Sequence, residues 1–530
     1  MKHRPLEIEY FGGAGTVTGS SMLLTHQNKK GQDTRIMLDY GSFVNSNNEE
    51  TMARNCQPPI DSKGKLVIPS LDALVLSHAH QDHIGRVMKL EHEGFEGRIF
   101  TTPETAVIMQ PMLRDAVKIA NANLLTLNRT KLREALSNYL EKQDKVFRGR
   151  GRKDRGERKE NPRTNNYTSS MVKEYKEEDI DKILELVHTV EYGNKTKLAK
   201  GTYYTPLNAG HILGSAMSLI EADAGDRIVR LLNTHDLGNE LKDSYLGQPE
   251  ITEAELDVLA IEGTYGDREH AEREPVLAEM LTKIVNTLKV GGKVIIPAFA
   301  LERSQEILMF LSQNLQTIQD RVGFKAPIFL DSRLAQTVTN IYKSLLSRDD
   351  EKAEAKRDLS KLMESDCFSL LNNENRASVT ESDGAAIIVS SSGMCDAGPV
   401  REHLLHGLGN PKNLILFAGY PGTGKSLANA ILNSSQANNN HLVRVNHQVV
   451  PVRAETFYAR AFSSHAGQAQ LVKFVDSVSF KGDNRADAKV LIQHCDPITG
   501  AALRERILNK ITDLKEDNVQ VAETGKVYRI

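Results

Sequence analysis

The stretch that most restricts how this chain can fold is LDALVLSHAHQDHIG, Leu71 to Gly85. Its apolar first half reads as a buried strand, and the strand runs into a loop that carries His78, His80, Asp82 and His83. A strand end followed by Gly85 splays alternate side chains into one cleft. Imidazoles with a carboxylate suit zinc or a related borderline divalent metal. Four ligand-type residues within six positions are too dense for a polar loop that holds histidines by accident. One loop cannot complete two metal spheres, so further ligands are expected at other strand ends. His211 in NAGHILGSA, Asp236 after RIVRLLNTHD and His494 in VLIQHCDP are the candidates. Each alone would more often be a satisfied polar core residue, and each gains weight from the loop that needs partners.

The chain has 530 residues, enough for two domains or for one large domain with an insertion. From Glu7 to about Gly41 the pattern alternates and turns, which reads as hairpins. TTPETAVIMQPMLRDAVKIANANLL has helical periodicity, with Pro103 near its start. Strands return at GTYYTPLNAG, SAMSLIEAD, RIVRLLNTHD and LDVLAIEGT. Between about 268 and 445 strands alternate with helices, as in GGKVIIPAFA before SQEILMFLSQNL and APIFLD before LAQTVTNIYKSLL. That alternation predicts a parallel α/β unit. After it, VRAETFYARAF and DAKVLIQHC are strand-like again.

Bulk properties exclude several classes. The net charge is −2, so any nucleic-acid contact must come from a local patch. The densest patch is KVFRGRGRKDRGERKENPR, residues 145–163, with nine Lys/Arg against three acids. It is too poor in apolar residues to order itself. It reads either as a solvated linker or as a flexible arm that attracts nucleic-acid phosphates. Cys56, Cys367, Cys395 and Cys495 are widely spaced, against both a disulfide framework and a cysteine zinc finger. The first residues lack the apolar core of a signal peptide, and no apolar run is long enough to span a membrane. A cytoplasmic location is therefore expected.

One motif argues for a different chemistry. LFAGYPGTGKSLANAIL fits the phosphate-binding loop G-x-x-x-x-G-K-[ST] at Gly419, Gly424, Lys425 and Ser426. A working nucleotide site also needs a Mg²⁺-holding aspartate at a neighbouring strand end, normally further along the chain. The nearest candidate, Asp496, sits beside the proposed ligand His494. No nucleoside triphosphate site is expected.

Taken together these motifs resemble a known family. His78, His80, Asp82 and His83 look like the H-x-H-x-D-H signature of the metallo-β-lactamase superfamily, and GGAGTVTGSSMLL, IMLDYG, NAGHILGSAM and THDLG fall in its order. IEGTYGDREH, IFLDSRLA, SSSGMCDAGP, AFSSHAGQAQL and LIQHCDP resemble the β-CASP branch, which processes nucleic acids. The resemblance runs from about Glu7 to about Ile507 and looks closest to the RNA-cleaving group. It implies an α/β fold: the metallo-β-lactamase αβ/βα four-layer sandwich, residues 1–267 and 446–530, with an inserted α/β β-CASP domain, 268–445. It implies two Zn²⁺ per chain, or another divalent metal: His78, His80 and His211 on one, Asp82, His83 and His494 on the other, with Asp236 bridging. Asp39 would orient that site from behind. Glu262 would pair with His465, which would protonate the leaving oxygen. His494, where DNA-repair members tend to have valine, favours RNA.

The implied reaction is hydrolysis of single-stranded RNA by a two-metal ribonuclease, from an end or internally, and a homodimer is compatible with it. A small-molecule metallohydrolase of the lactonase or thioesterase type, or a non-catalytic RNA-binding scaffold, is the alternative. The chain also departs from the family. His235 stands where a glycine is common, and reads as a surface residue or a neighbour of the ligands. Gly467 stands where many members have aspartate, and Cys495-Asp496 where Gly-Glu is frequent. GYPGTGKSLANAIL resembles a β-CASP strand–turn–helix element with Lys425 in place of arginine. Lys425, with Ser391 and Ser392, is then expected to meet RNA phosphates rather than a nucleotide.

Overall fold

A computed structural model describes residues 5–27, 31–44, 48–126, 175–225, 227–240, 244–348, 353–422, 426–435, 442–481 and 485–530. The basic stretch 145–163 and Lys425 lie outside the described residues. The chain divides into two compact units. One comprises Met1–Glu240, Gln248–Asp267 and His465–Ile530; the other comprises Leu241–Gly247 and Arg268–Ser464.

The first unit holds two seven-stranded sheets. One contains β1 (Glu7–Gly12), β2 (Ser21–Gln27), β3 (Asp33–Leu38), β4 (Ala73–Val75), β5 (Arg98–Thr101) and β6 (Val187–Thr189), closed beside β1 by β22 (Val527–Arg529). The expected hairpins are β1–β2–β3, paired antiparallel, after which β3 to β6 run parallel. The other sheet has the order β21-β20-β11-β10-β9-β8-β7. Its strands are β7 (Thr196–Ala199), β8 (Thr202–Asn208), β9 (Ala216–Asp223), β10 (Ile228–Asn233), β11 (Val258–Glu262), β20 (Lys489–Gln493) and β21 (Val519–Val521). Here β7 to β10 are antiparallel, and β10, β11, β20 and β21 are parallel.

Side-chain alternation decides how these sheets pack. Ile8, Tyr10, Met22, Leu24, Ile36 and Leu38 leave the first sheet on one face and share a core with Tyr204, Ile220, Leu231, Val258, Ala260 and Leu491 of the second. The intervening residues of the second sheet, Leu232, Leu259, Ile261, Val490 and Ile492, point the other way. They pack on Leu471 and Val475 of the Gln468–Ser477 helix and on Leu503 and Ile507 of the Pro497–Lys510 helix. A sheet covered on both faces needs apolar residues at successive positions, which is why VLAI and KVLIQ read as continuous runs.

The second unit is built on a six-stranded, wholly parallel sheet of order β14-β13-β15-β12-β16-β19. The strands are β12 (Lys293–Pro297), β13 (Ile328–Asp331), β14 (Phe368–Leu370), β15 (Ala386–Ser390), β16 (Leu414–Phe417) and β19 (Glu455–Tyr458). Helices Arg273–Lys289, Arg303–Val322, Arg333–Leu345 and Val400–Gly407 connect or flank them, as the alternation predicts. The boundary expected at 445 differs from the one observed. A hairpin of β17 (Leu442–Val445) and β18 (Gln448–Pro451) breaks the strand–helix rhythm, but β19 then returns to extend the sheet beside β16. Residues 446–464 therefore pack with the second unit. Among the described residues no helix is long and apolar enough to cross a membrane.

Candidate metal centre

Parallel strands present their carboxyl ends at one edge of a sheet, and the first unit uses this twice. In the first sheet β3 and β4 are in register at Leu38 and Val75, so the residues that follow, Asp39 and Ser77-His78, emerge together. In the second sheet β10, β11 and β20 end at Asn233, Glu262 and Gln493, which delivers Asp236, Glu262 and His494. His211 comes from the β8–β9 connection, and His465 is bridged to Gly238 just past Asp236.

Local sequence sets the aim of these side chains. The segment after β3 is zipped to the histidine loop by backbone hydrogen bonds from Tyr40 to His83 and from Ser42 to Gln81, both 2.9 Å. The approach is so close that a Cβ on Gly41 would lie 1.5 Å from the Asp82 carbonyl oxygen. Asp39, His235 and His494 have φ of 59°, 49° and 51°. The left-handed backbone costs an L-residue roughly 1–2 kcal/mol, and here it turns each side chain off its strand.

Two groups of potential ligands result. His78, His80, His211 and Asp236 form one; Asp82, His83, Asp236 and His494 form the other. The Asp236 carboxylate belongs to both. Its Oδ2 lies 3.5 Å from Nε2 of His78 and 3.5 Å from Nε2 of His211. Its Oδ1 lies 3.2 Å from Nε2 of His83 and 3.3 Å from Nδ1 of His494. His80 Nδ1 completes the first group at 3.1 Å from His78 Nε2 and 3.4 Å from His211 Nε2. Asp82 Oδ2 lies 3.5 Å from His494 Nε2 and 3.9 Å from His83 Nε2.

Tetrahedral zinc with bonds of about 2.0–2.1 Å has ligand–ligand edges of about 3.3 Å, so the first group has the spacing of such a sphere, and the second gathers one ligand atom from each residue within 4.8 Å. Asp236 Oδ1 and His494 Nε2 are buried without a hydrogen-bond partner. Orphaned buried acceptors are costly, and a cation would satisfy them. The residues therefore fit a pair of divalent ions.

Electrostatics point the same way. Burial, foremost, pushes His78 and His211 well below the ordinary imidazole value and brings His80 down to about 4. All three are neutral at physiological pH, the form that can bind a metal. Burial would also lower His83, but Asp236, Asp39 and Asp82 outweigh it and raise the ring well above its usual value. Carboxylates that draw a proton to this ring would draw a metal cation as well.

Behind the ligands Asp39, 1% exposed, collects four hydrogen bonds. Ser77 donates from its backbone N–H and its hydroxyl, both at 2.8 Å; Nδ1 of His83 and Nδ1 of His235 donate at 2.7 Å each. Burial would raise this carboxyl, and the His235 and His83 rings more than offset that, holding it well below the carboxylate range. The Ser77 oxygen also lies 3.0 Å from Nδ1 of His78. With each Nδ1–H committed to this network, the Nε2 lone pairs of His78 and His83 face the centre. Fixing ligand tautomers from behind is what such partners do in metal sites.

Glu262, wholly buried, accepts from the Leu237 backbone N–H at 2.6 Å and contacts Nδ1 of His465 at 3.0 and 3.1 Å. Burial would lower His465, but the Glu262 charge overrides it and pushes the ring up to about 9. The His465 ring lies 4.6 Å from that of His211 and 6.0 Å from that of His494, stacked on the latter. It therefore borders both groups.

The structure thus brings Asp39, His78, His80, Asp82, His83, His211, Asp236, Glu262, His465 and His494 together within one unit. Ser391 and Ser392 lie in the second unit, where the Ser391 hydroxyl donates to Ser332 at 2.9 Å and that of Ser392 to the Ala397 carbonyl at 3.2 Å. His235 is not a surface residue: it is 3% exposed, and Nε2 lies 2.8 Å from the Ser218 hydroxyl. Sequence reasoning missed Ser77, Ser218 and Thr264, the last 3.1 Å from Nδ1 of His494. A serine or threonine beside a histidine is too common to signal such a role.

Residues 304–431 match the Beta-Casp domain model, within the second unit. The chain is 29% identical over 524 residues to ribonuclease TTHA0252 of Thermus thermophilus, covering 98% of this chain and 99% of the relative. It is 27% identical over 480 residues to transcription termination factor FttA of Methanocaldococcus jannaschii, covering 89% of this chain and 64% of the relative. It is 27% identical over 506 residues to cleavage and polyadenylation specificity factor subunit 3 of Dictyostelium discoideum, covering 95% and 55%. Residues 304–431 thus carry a Beta-Casp domain. The chain spans nearly the whole bacterial relative, and less than two thirds of the archaeal and eukaryotic ones.

Proposed function

We propose that this protein is a metal-dependent ribonuclease that hydrolyses RNA phosphodiester bonds with two zinc ions. The observation that carries the reading is Asp236, one carboxylate with each oxygen facing a different histidine group. A single-metal hydrolase has no use for that arrangement, whereas in-line displacement at phosphorus does. The relatives' names, a ribonuclease and a cleavage factor subunit among them, support RNA as the substrate. Two sheets sharing one core, with helices on the outer face of the second, support the metallo-β-lactamase four-layer sandwich, into which the β-CASP unit is inserted.

His78, His80 and His211 would hold one ion, Asp82, His83 and His494 the other, and Asp236 would bridge. Bound there, two divalent cations supply Lewis acidity, acidifying a water at neutral pH and neutralising charge on the phosphoryl oxygens. The protein's own residues do the rest. Asp39 holds the His83 ring directly, and the His78 ring through Ser77. His465 keeps Nδ1–H on Glu262 and, as an imidazolium, carries a second proton on Nε2. That proton is the one the departing 3′-oxygen needs. Lys425, Ser391 and Ser392 are proposed to contact the RNA backbone.

The test is purified protein on single-stranded RNA labelled at the 5′ or 3′ end, with and without chelator. Chelator-sensitive cleavage, lost in His80→Ala, is expected, and the two labels separate internal from end-wise cutting. RNA left intact with zinc, manganese and magnesium alike would refute the ribonuclease reading.

A further inference from the structure

Three further groups outside the assigned ligands offer candidate roles: Asp331 with His403 and Arg376, Glu302 with two tyrosines, and His235 with Asp39. Asp331 is wholly satisfied, by Arg376 at 2.6 and 3.0 Å and by His403 at 2.7 Å, and ties strands and helices of the second unit together. Glu302 is enclosed by the hydroxyls of Tyr245 and Tyr342. Both groups belong to the second unit, whereas His235 lies among the candidate ligands of the first.

We propose that His235 is a positioning residue that fixes the second metal group through Asp39; the inference rests on the two-metal reading. Asp39, His83 and His235 by themselves form a cluster of ligand-type residues. The contacts, however, are direct, 2.7 Å from Asp39 Oδ2 to each Nδ1. That is the length of a charge-assisted hydrogen bond, and shorter than the edge between two ligands of one ion. The cluster is held by direct hydrogen bonds. Asp39 accepts, so both rings donate from Nδ1. The Ser218 hydroxyl lies 2.8 Å from Nε2 of His235 and holds the far edge of that ring. The relay then runs Ser218 to His235 to Asp39, with His83 donating to Asp39 from the other side and turning Nε2 toward Asp236.

Two further features tie His235 to this task. Its φ of 49° turns the ring back under the sheet edge, one residue before the shared ligand Asp236. Its backbone N–H is held by Asn233 Oδ1 at 2.9 Å, and Asn233 Oδ1 also accepts from the Gln493 amide, next to His494. The residue is thus locked between the segments that deliver Asp236 and His494. Removing its N–H leaves a buried, 1%-exposed carboxylate short of one donor, and the hold on the His83 tautomer loosens. Loss of such an outer partner typically weakens metal affinity 10–100-fold.

The experiment compares wild type, His235→Gly, His235→Asn and Ser218→Ala, each metal-stripped and titrated with zinc against a chromophoric chelator. Cobalt(II) absorption is recorded at one and two equivalents. Asparagine tolerates positive φ and keeps an N–H near the Nδ1 position; glycine tolerates it and has no donor. The expected result is roughly 10–100-fold weaker binding of one of the two ions in His235→Gly, with an altered cobalt spectrum at the second equivalent. In His235→Asn, recovery to within a few-fold of wild type is expected, and Ser218→Ala falls between. Wild-type affinity and spectrum in His235→Gly would overturn the proposal, as would equal defects in the glycine and asparagine variants. Should the glycine variant fail to fold, an asparagine variant that binds as wild type while Ser218→Ala weakens one site supports the relay, and any other pairing refutes it. A wild type that binds no divalent ion would instead refute the two-metal reading.

Discussion

At the scale of single residues, the centre is a balance of buried charge. Asp39, Asp82 and Asp236 are carboxylates set among histidines, and Glu262 is paired to His465. The proton on His465 is the most exposed consequence of that balance. His465→Ala is expected to lower kcat on RNA by about 10²–10⁴-fold with metal content unchanged, as read by elemental analysis beside the cleavage assay. Glu262→Gln tests the cause. Glu262 outweighs burial to push His465 up to about 9. Without that charge, burial draws the ring down, and a general acid is active only below its pKa. The alkaline limb of the kcat profile is then expected to move to lower pH; a limb that stays in place would remove this pair from proton donation. The candidate ligands in HAHQDH were legible because their signal is local, four ligand-type residues within six positions. His235 was not, because its two partners, Ser218 and Asp39, are 17 and 196 positions away. A histidine held by distant partners looks in sequence like any other histidine.

At the scale of elements, strand ends do the positioning, and the short connections after them carry the constraint. The loop after β3 lies so close to the histidine loop that Gly41→Ala, with its methyl 1.5 Å from a carbonyl oxygen, must part the two. Overpacking of this kind costs typically 1–3 kcal/mol. The expected outcome is a lowered melting temperature together with loss of metal from the group containing Asp82 and His83. A fully metallated Gly41→Ala protein would show that the loops can separate without cost to the site. Capping explains one departure from the family pattern, Asp496, and a second, Gly467, lies at another helix start. Asp496 accepts from the N–H groups of Ile498 and Thr499 at 2.9 and 3.0 Å, starting the Pro497–Lys510 helix. Gly467 precedes the Gln468–Ser477 helix, where its N–H is taken by the Gln470 side chain at 2.9 Å. The phosphate-loop look-alike has a strand, β16, before it and the Leu427–Ser435 helix after it, whose Leu427 N–H is held by Asp396 at 2.9 Å. Strands and helices of the second unit were legible from period alone. The membership of β19 was not, because which sheet a short strand joins is decided by its neighbours in space.

At the scale of the whole molecule, the two units carry different charge problems and are expected to answer pH and chelators separately. In the second unit Glu302 is buried; burial, then Glu306, raises its carboxyl to about 7 against the pull of the Tyr245 and Tyr342 hydroxyls and Arg303. Its folded pKa lies above the unfolded value, so the stability it contributes is complete below about pH 4.5 and is lost as pH rises through about 7. Glu302→Gln should remove that part of the pH dependence, a difference that urea melts of both proteins at pH 5 and pH 8 would read. Metal removal acts on the other unit. Ions bound only by the folded state add about 2.7 kcal/mol at a hundredfold excess over Kd. Chelation is therefore expected to lower the calorimetric transition of the first unit by several degrees while leaving that of the second in place. A uniform shift of both would mean that the ions do not reside where the histidines are.

Chain order has a consequence for how the protein is made. The strand β20, which lies inside the second sheet between β11 and β21, follows the whole second unit in sequence, and so do His465 and His494. A chain still attached to the ribosome can finish its second unit, since domains fold as they emerge, while the first waits with a gap in its sheet and two of its site histidines unmade. The candidate centre cannot close until the segment that carries His465 and His494 has been made. On the proposed ribonuclease reading, a chain ordered in this way stays inert toward RNA until both histidines have emerged and β20 has entered its sheet.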